Sequence, residues 1–90
     1  MSDTIDNYMQ LAINATLHGH KELIDYLDEK YGPLDYNFIA RVAAIHGYID
    51  IVDDMIEKGA NEYLDIGYNA FASGHKKIAE KMFEKYAENY

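Results

Sequence analysis

The chain has 90 residues and a net charge of −8, from 16 Asp and Glu residues against eight Lys and Arg. This length fits one small domain, because domains typically span about 50–200 residues. Hydrophobic residues make up 49% and charged residues 27%, which is typical of a globular chain rather than a disordered one. The absence of cysteine excludes disulfides, thiolate metal sites and cysteine nucleophiles. The negative charge repels phosphate backbones and anionic lipid, so we expect no direct binding to nucleic acid or membrane, and a partner with a basic surface fits better.

The N-terminal segment argues against export. MSDTIDNYMQ carries two acidic residues and no basic residue before its first apolar positions, unlike a signal peptide. No apolar run approaches the ~20 residues that a membrane-spanning helix needs. We therefore expect a soluble, intracellular protein with neither a signal peptide nor a transmembrane segment.

Three glycines at near-constant spacing divide the chain into repeats. Gly19, Gly47 and Gly74 are separated by 28 and 27 residues, and other positions recur at the same offsets. The recurring positions include Tyr8/Tyr36/Tyr63, Ala15/Ala43/Ala70, Leu23/Ile51/Ile78 and Leu27/Met55/Met82. We infer a single domain over residues 1–90 that contains three repeats, at about 6–34, 35–60 and 61–90.

Each repeat has the pattern of a helix, a short turn and a second helix. The glycine marks the turn, because helices often end in a left-handed residue that glycine adopts without penalty. In chain order, we predict helices over residues 4–17, 20–31, 35–45, 48–58, 62–72 and 75–88. Ile51, Val52, Met55 and Ile56 give one apolar stripe on the fourth helix, as expected for a core-facing side. The predicted fold is all-α, with three stacked antiparallel helix pairs and no β-hairpin between repeats.

The middle repeat resembles the ankyrin family. The segment AAIHGYIDIV at residues 43–52, followed by MIEKGAN at 55–61, has the two small residues, the turn glycine, the Ile-Val pair and the terminal Gly-Ala of that family, whose turn is typically Gly-His. Gly19-His20 and Gly74-His75 match the turn in the flanking repeats. The Thr-Pro-Leu-His opening is absent, and the period of 27 to 28 residues is shorter than the usual ~33. The chain is therefore most similar to the shortened ankyrin-like repeats of large DNA viruses, which implies a viral origin.

The resemblance implies a protein-protein interaction module. In ankyrin proteins, partners contact the groove formed by the first helices and turns, at the two positions before the turn glycine. In this sequence the implied contact residues are Leu17, His18, Ile45, His46, Ala72 and Ser73, with Tyr36 and Tyr63 near the helix starts. The three tyrosines that repeat in register also suit packing between repeats, which is the reading we favour for them.

Neither catalysis nor a metal site is expected. The sequence has no Gly-rich phosphate loop and no recognisable nucleophile motif, so we predict no enzyme, no catalytic residue and no cofactor. His18, His20, His46 and His75 are the nearest approach to a metal cluster. Each lies beside a turn glycine, and the resemblance implies that it hydrogen-bonds the turn and links adjacent repeats. We therefore predict no metal.

An acidic strip offers an alternative function. Asp50, Asp53, Asp54 and Glu57 are spaced to share one face of the fourth helix. This face would suit a small acidic inhibitor, such as a host-defence antagonist or a nucleic-acid mimic. We favour the simpler interpretation of a solvated outer helix face, on which Asp54 is exposed.

Stacking gives the two ends of the chain a special role. Inner repeats bury both faces, whereas the terminal repeats each turn one face to water. Three repeats are close to the minimum for a stable stack. Self-association through the last repeat is therefore a further expectation.

Overall fold

A computed structural model of the protein describes the backbone of residues 3–89 and the side chains of residues 7–89. These residues form six helices and no strand. The helices are α1 (Asp3–Leu17), α2 (Lys21–Tyr31), α3 (Tyr36–His46), α4 (Ile49–Lys58), α5 (Tyr63–Ala72) and α6 (Lys76–Glu88). Met1, Ser2 and Tyr90 lie outside the described residues. All three belong to the predicted domain over residues 1–90, and Met1 and Ser2 also belong to the N-terminal segment considered for export.

The helices pack in consecutive pairs. α1 packs on α2, α3 on α4 and α5 on α6, while α3 also lies between α1 and α5. The predicted all-α fold of three stacked antiparallel helix pairs is confirmed, and the predicted helix bounds agree with the observed ones to within one residue. We refer to the pairs as the first, second and third unit.

A single core runs through the three units. Its largest fully buried side chains include Ile24, Ile39, Ile51, Met55, Ile66 and Met82. The alanines at positions 15, 43 and 70 are also buried, and such small side chains let the first helices of neighbouring units approach closely. Thr16 is the one buried polar side chain among the described residues, and its hydroxyl donates to the Ala12 carbonyl at 2.7 Å.

Side-chain oxygens accept backbone N–H groups at the start of α3 and just before α5. The Asp35 side chain accepts a hydrogen bond from the Phe38 N–H at 3.1 Å, which is a standard N-cap for α3. Asn37 of α3 reaches into the next unit, where its Oδ1 accepts the N–H groups of Asn61 and Glu62 at 2.9 and 3.0 Å. Asn37 therefore satisfies backbone donors just before α5 and ties the second unit to the third.

Within residues 3–89, every helix falls short of the length and apolarity that crossing a lipid bilayer requires.

Candidate functional site

The turn after each first helix has the same geometry in all three units. Gly19, Gly47 and Gly74 have φ angles of 69°, 80° and 90°, in the left-handed region that favours glycine. The residue that follows each glycine donates its N–H to the carbonyl five residues earlier. These bonds are His20 to Ala15, Tyr48 to Ala43 and His75 to Ala70, at 2.8, 2.9 and 2.8 Å. This pattern is that of a Schellman motif. The recurring Gly and Ala positions therefore form the same turn in each of the three units.

An aromatic ring links the turn of the second unit, and likewise that of the third, to the unit before it. The Tyr48 hydroxyl donates to the Leu17 carbonyl at 3.2 Å, and His75 Nε2 donates to the Ile45 carbonyl at 3.1 Å. The same rings cover the preceding glycines: a Cβ on Gly19 would lie 2.9 Å from the Tyr48 ring, and one on Gly47 would lie 2.6 Å from the His75 ring. We call this arrangement the ring-on-glycine contact. It fixes the position of each turn relative to its neighbour.

The residues expected to contact a partner at the turns lie together on the surface. Leu17 and Ala72 are the last residues of α1 and α5, Ile45 is the penultimate residue of α3, and all three are exposed. The next position in each unit is also exposed, and is occupied by His18, His46 and Ser73. We refer to these six residues as the turn-end row. It presents apolar and imidazole groups side by side.

The two histidines of this row have fixed ring positions. His18 Nδ1 donates to the Asn14 carbonyl at 2.9 Å, and His46 Nδ1 donates to the Val42 carbonyl at 3.0 Å. The His46 ring also lies nearly parallel to the Tyr48 ring, with centroids 6.1 Å apart and planes at 10°. Preorganised side chains lose less entropy on binding, which favours their use in recognition.

A cavity of about 510 Å³ adjoins the row between the second and third units. Gly47, Gly74 and His75 line it at the turns, and the exposed Ile49 adds an apolar wall. Ile78 also lines it, and Lys76, Lys77 and Lys81 give it a basic rim although the protein is acidic. The sequence pattern did not single out this cavity, because its walls come from two different units.

Tyr36 and Tyr63 lie away from the turn-end row, at the opposite ends of α3 and α5. Ten residues of helix separate Tyr36 from His46, a distance of about 15 Å at 1.5 Å per residue. Both tyrosine rings are half-buried against the core, as is that of Tyr8. The Tyr36 hydroxyl donates to both oxygens of Asp28, at 2.9 and 3.1 Å. Burial and this carboxylate together raise the pKa of Tyr36.

Two of the four carboxylates of the predicted acidic strip form ion pairs between side chains. Asp53 accepts two hydrogen bonds from Lys81 Nζ, at 2.8 and 2.9 Å. Asp54 binds Lys58 Nζ at 2.7 Å, and its side chain is only 11% exposed. The expectation that Asp54 lies exposed on a solvated face is therefore wrong. Asp50 and Glu57 are the exposed members of the strip, and the Asp50 side chain accepts the N–H of Ile51.

Lys58 is the centre of an ion-pair network between the first and second units. Its Nζ contacts Asp25 at 2.6 Å and Asp54 at 2.7 Å, and Lys21 binds Asp25 at 3.1 Å. Burial opposes ionisation of Asp25, but hydrogen bonds with Asp54, Lys58 and Lys21 outweigh it and lower the pKa of Asp25 to about 2.

The other two members of the network have raised pKa values. For Lys58, burial opposes the charge, but the hydrogen bonds to both carboxylates hold its pKa above the usual range. For Asp54, burial and hydrogen bonding with Asp25 raise the pKa. The network thus holds two units together and offers a ligand little unpaired charge.

Three apolar side chains on α5 were not anticipated as a surface feature. Leu64, Tyr68 and Phe71 follow one another at i, i+4 and i+7, so they share one face of the helix. They are 46%, 70% and 54% exposed. Aligning the repeats could have identified them, because the equivalent positions in the second unit are Asn37, Arg41 and the buried Ala44.

The described residues 7–89 hold no group of three or more His, Asp or Glu side chains that could bind a metal ion. In the same range, every buried side-chain nitrogen or oxygen has a hydrogen-bond partner. The polar groups in the interior are therefore all used by the fold.

Family models, curated proteins and solved structures were all compared with this chain, and none of them matches it.

Proposed function

We propose that the chain is an intracellular, non-enzymatic, ankyrin-like protein-binding module that engages its partner through the turn-end row and the adjoining cavity. The observation that carries this proposal is the exposure of Leu17 and Ile45 beside two histidines whose rings are held by hydrogen bonds. Exposed apolar groups on a rigid support are characteristic of recognition surfaces. The resemblance to ankyrin repeats selects the same positions.

The cavity supports the same surface. Its apolar wall at Ile49 suits an aliphatic or aromatic side chain of the partner, and Lys76 and Lys77 suit a carboxylate next to that side chain, whereas Lys81 is already bound to Asp53. Tyr36 supports this function less, because its hydroxyl is engaged by Asp28. The acidic-inhibitor alternative has weaker support as well, because Asp53 and Asp54 are already paired with lysines.

The test compares the turn-end row with the acidic strip. A partner is first captured from lysate on the immobilised chain, purified, and titrated against variants. Ile45→Ala with His46→Ala should weaken binding by at least about tenfold, or 1.4 kcal/mol. The melting temperature should change little, because both side chains are exposed and the Ile45 carbonyl that accepts from His75 is retained.

The matched control removes charge from the acidic strip without breaking ion pairs. Asp50→Asn with Glu57→Gln keeps both side-chain sizes and leaves the lysine contacts of Asp53 and Asp54 intact. This variant should bind within about threefold of the unmodified chain, with any loss confined to low salt. If instead it abolishes binding while the Ile45/His46 variant retains it, the proposed surface is wrong and the acidic inhibitor takes its place.

A further inference from the structure

One end of the stack exposes an apolar surface. It consists of Leu64, Tyr68 and Phe71 on α5 together with Phe83 on α6, and all four side chains are exposed. We call these four residues the tail face. An exposed apolar patch of this kind usually marks an interaction site.

The tail face corresponds to a surface that the inner units use for stacking. In the second unit, the positions equivalent to Leu64 and Tyr68 are Asn37, which accepts backbone N–H groups just before α5, and Arg41, which pairs with Glu62. The position equivalent to Phe71 is Ala44, which is fully buried. The third unit therefore presents the side that, in the second unit, faces the next unit along the stack.

The turn of the third unit lacks its ring-on-glycine contact. Gly74 has the same left-handed conformation as Gly19 and Gly47, but a Cβ on Gly74 would meet no atom within 4 Å. The rings of Tyr48 and His75 fill the equivalent space in the first and second units. The surface at Gly74 therefore has room for an aromatic or imidazole ring like those that cover Gly19 and Gly47.

The opposite end of the stack carries residues that match this site. On the outer side of the first unit, the head face consists of Leu11, Asn14, His20, Leu23 and Lys30. In the third unit the equivalent residues are Ile66, Asn69, His75, Ile78 and Lys85. Ile66 and Ile78 are buried in the structure, whereas Leu11 is 50% exposed. The head face therefore repeats the chemistry with which the third unit stacks on the second.

Charge also matches between the two ends. Asp25 in the first unit pairs with Lys58 in the second. The repeat offset relates Asp25 to Glu80 and Lys58 to Lys30, and both Glu80 and Lys30 are exposed. Stacking a second copy in the register of the first two units would bring Glu80 of one copy to Lys30 of the next, although at the second junction Asp53 pairs with Lys81 rather than with Lys85, the equivalent of Lys58.

We propose that two copies of this chain associate head to tail, with the tail face of one copy packed on the head face of the other. His20 of the second copy then covers Gly74 of the first copy and donates to the Ala72 carbonyl of the first copy. His75 makes the equivalent contacts within one chain, where its ring covers Gly47 and its Nε2 donates to the Ile45 carbonyl. A head-to-tail interface leaves one tail and one head unoccupied, so further copies add to the ends. This association uses the ends of the stack and leaves Leu17, Ile45 and His46 of the turn-end row uncovered, but it shares Gly74 and Ala72 with the third-unit end of the proposed partner site.

Sedimentation of the purified full chain over a concentration series tests the proposal. The average mass should rise with concentration and pass that of a dimer, because the interface does not close on itself. A tail-blocked variant, Tyr68→Glu with Phe71→Glu, and a head-blocked variant, Leu11→Glu, should each remain monomeric. An equimolar mixture of the two should form a one-to-one dimer, since each supplies the intact face that the other lacks.

Two further sets of variants guard against misfolding and separate this interface from the partner site. Ile45→Glu, in the turn-end row of the central unit, should associate like the unmodified chain. If a blocked variant loses its helical circular dichroism, a charge exchange replaces it: Glu80→Lys and Lys30→Glu should each weaken association several-fold alone and recover it when mixed.

Two results would overturn the proposal. The first is a monomer mass up to about 1 mM chain, the range of the weakest specific interactions. The second is a head-blocked variant that still dimerises by itself, because this would show that two tail faces pack against each other instead.

Discussion

Ile51→Ala should lower the free energy of unfolding by about 2–5 kcal/mol, the range measured when a buried large aliphatic side chain is truncated to alanine. Ile51 lies on α4 in the central unit, is fully buried and belongs to the single core. Truncation of this side chain deletes buried methyl groups and leaves a cavity. The neighbouring side chains cannot fill the cavity, because packing on several sides holds them in place. Denaturant unfolding followed by circular dichroism measures the change. Because small domains have about 5–15 kcal/mol in total, the loss is a large fraction of the stability.

The control for this substitution lies on the same helix. Glu57 is exposed, so Glu57→Ala should change the free energy of unfolding by less than about 0.5 kcal/mol. Asp54 cannot serve this purpose, because its carboxylate binds Lys58 beside Asp25. Similar small losses for Ile51→Ala and Glu57→Ala would mean that the apolar stripe of α4 does not face the core.

Gly47→Ala should cost about 2–3 kcal/mol of stability, from two separate effects. The left-handed conformation at φ 80° costs a non-glycine residue about 1–2 kcal/mol. The new Cβ would also lie 2.6 Å from the His75 ring, which must move and lose its hydrogen bond to the Ile45 carbonyl, at about 1 kcal/mol. Thermal or denaturant unfolding of the variant gives the sum of the two effects.

Gly74→Ala provides the matched comparison. Its φ of 90° imposes the same kind of backbone strain, but no atom lies within 4 Å of the new Cβ. The expected loss is therefore about 1–2 kcal/mol, from strain alone, in a dilute sample. Equal losses at Gly47 and Gly74 would be inconsistent with the ring-on-glycine contact between the second and third units.

The helices could be predicted from sequence because their limits are encoded locally. Gly19 and Gly47 end first helices in left-handed conformations, and the apolar spacing of Ile51, Val52 and Met55 is that of a helix with one buried side. Such features depend on neighbours a few residues away. This is why the predicted and observed bounds differ by no more than one residue.

The state of the acidic strip could not be predicted in the same way. Helical spacing placed Asp54 on a face with other carboxylates, but its burial depends on Asp25 and Lys58, which meet across two units and are 33 residues apart. Tyr36 is a similar case, since its hydroxyl is engaged by Asp28 of the preceding unit. Long-range pairs of this kind follow from the stacking register rather than from any local pattern.

The tail face could be predicted from sequence only in part. Leu64, Tyr68 and Phe71 fit a helix with an apolar side, so periodicity alone suggests that they are buried. Their exposure follows only from the order of the units, because the third unit has no following unit within the described residues 3–89. Comparing each residue with its equivalents in the other units recovers this information, which no single helix contains.

The central claim is that the three units stack through one repeated ring-on-glycine contact, because the turn-end row and both end faces depend on that register. Nuclear Overhauser effects in a dilute sample test it most directly. We predict cross-peaks from the Tyr48 ring to the Gly19 α-protons and from the His75 ring to the Gly47 α-protons, with none to Gly74 from any ring other than that of its sequence neighbour His75. Absence of the first two cross-peaks, in a sample that circular dichroism shows to be helical, would contradict the stacking register.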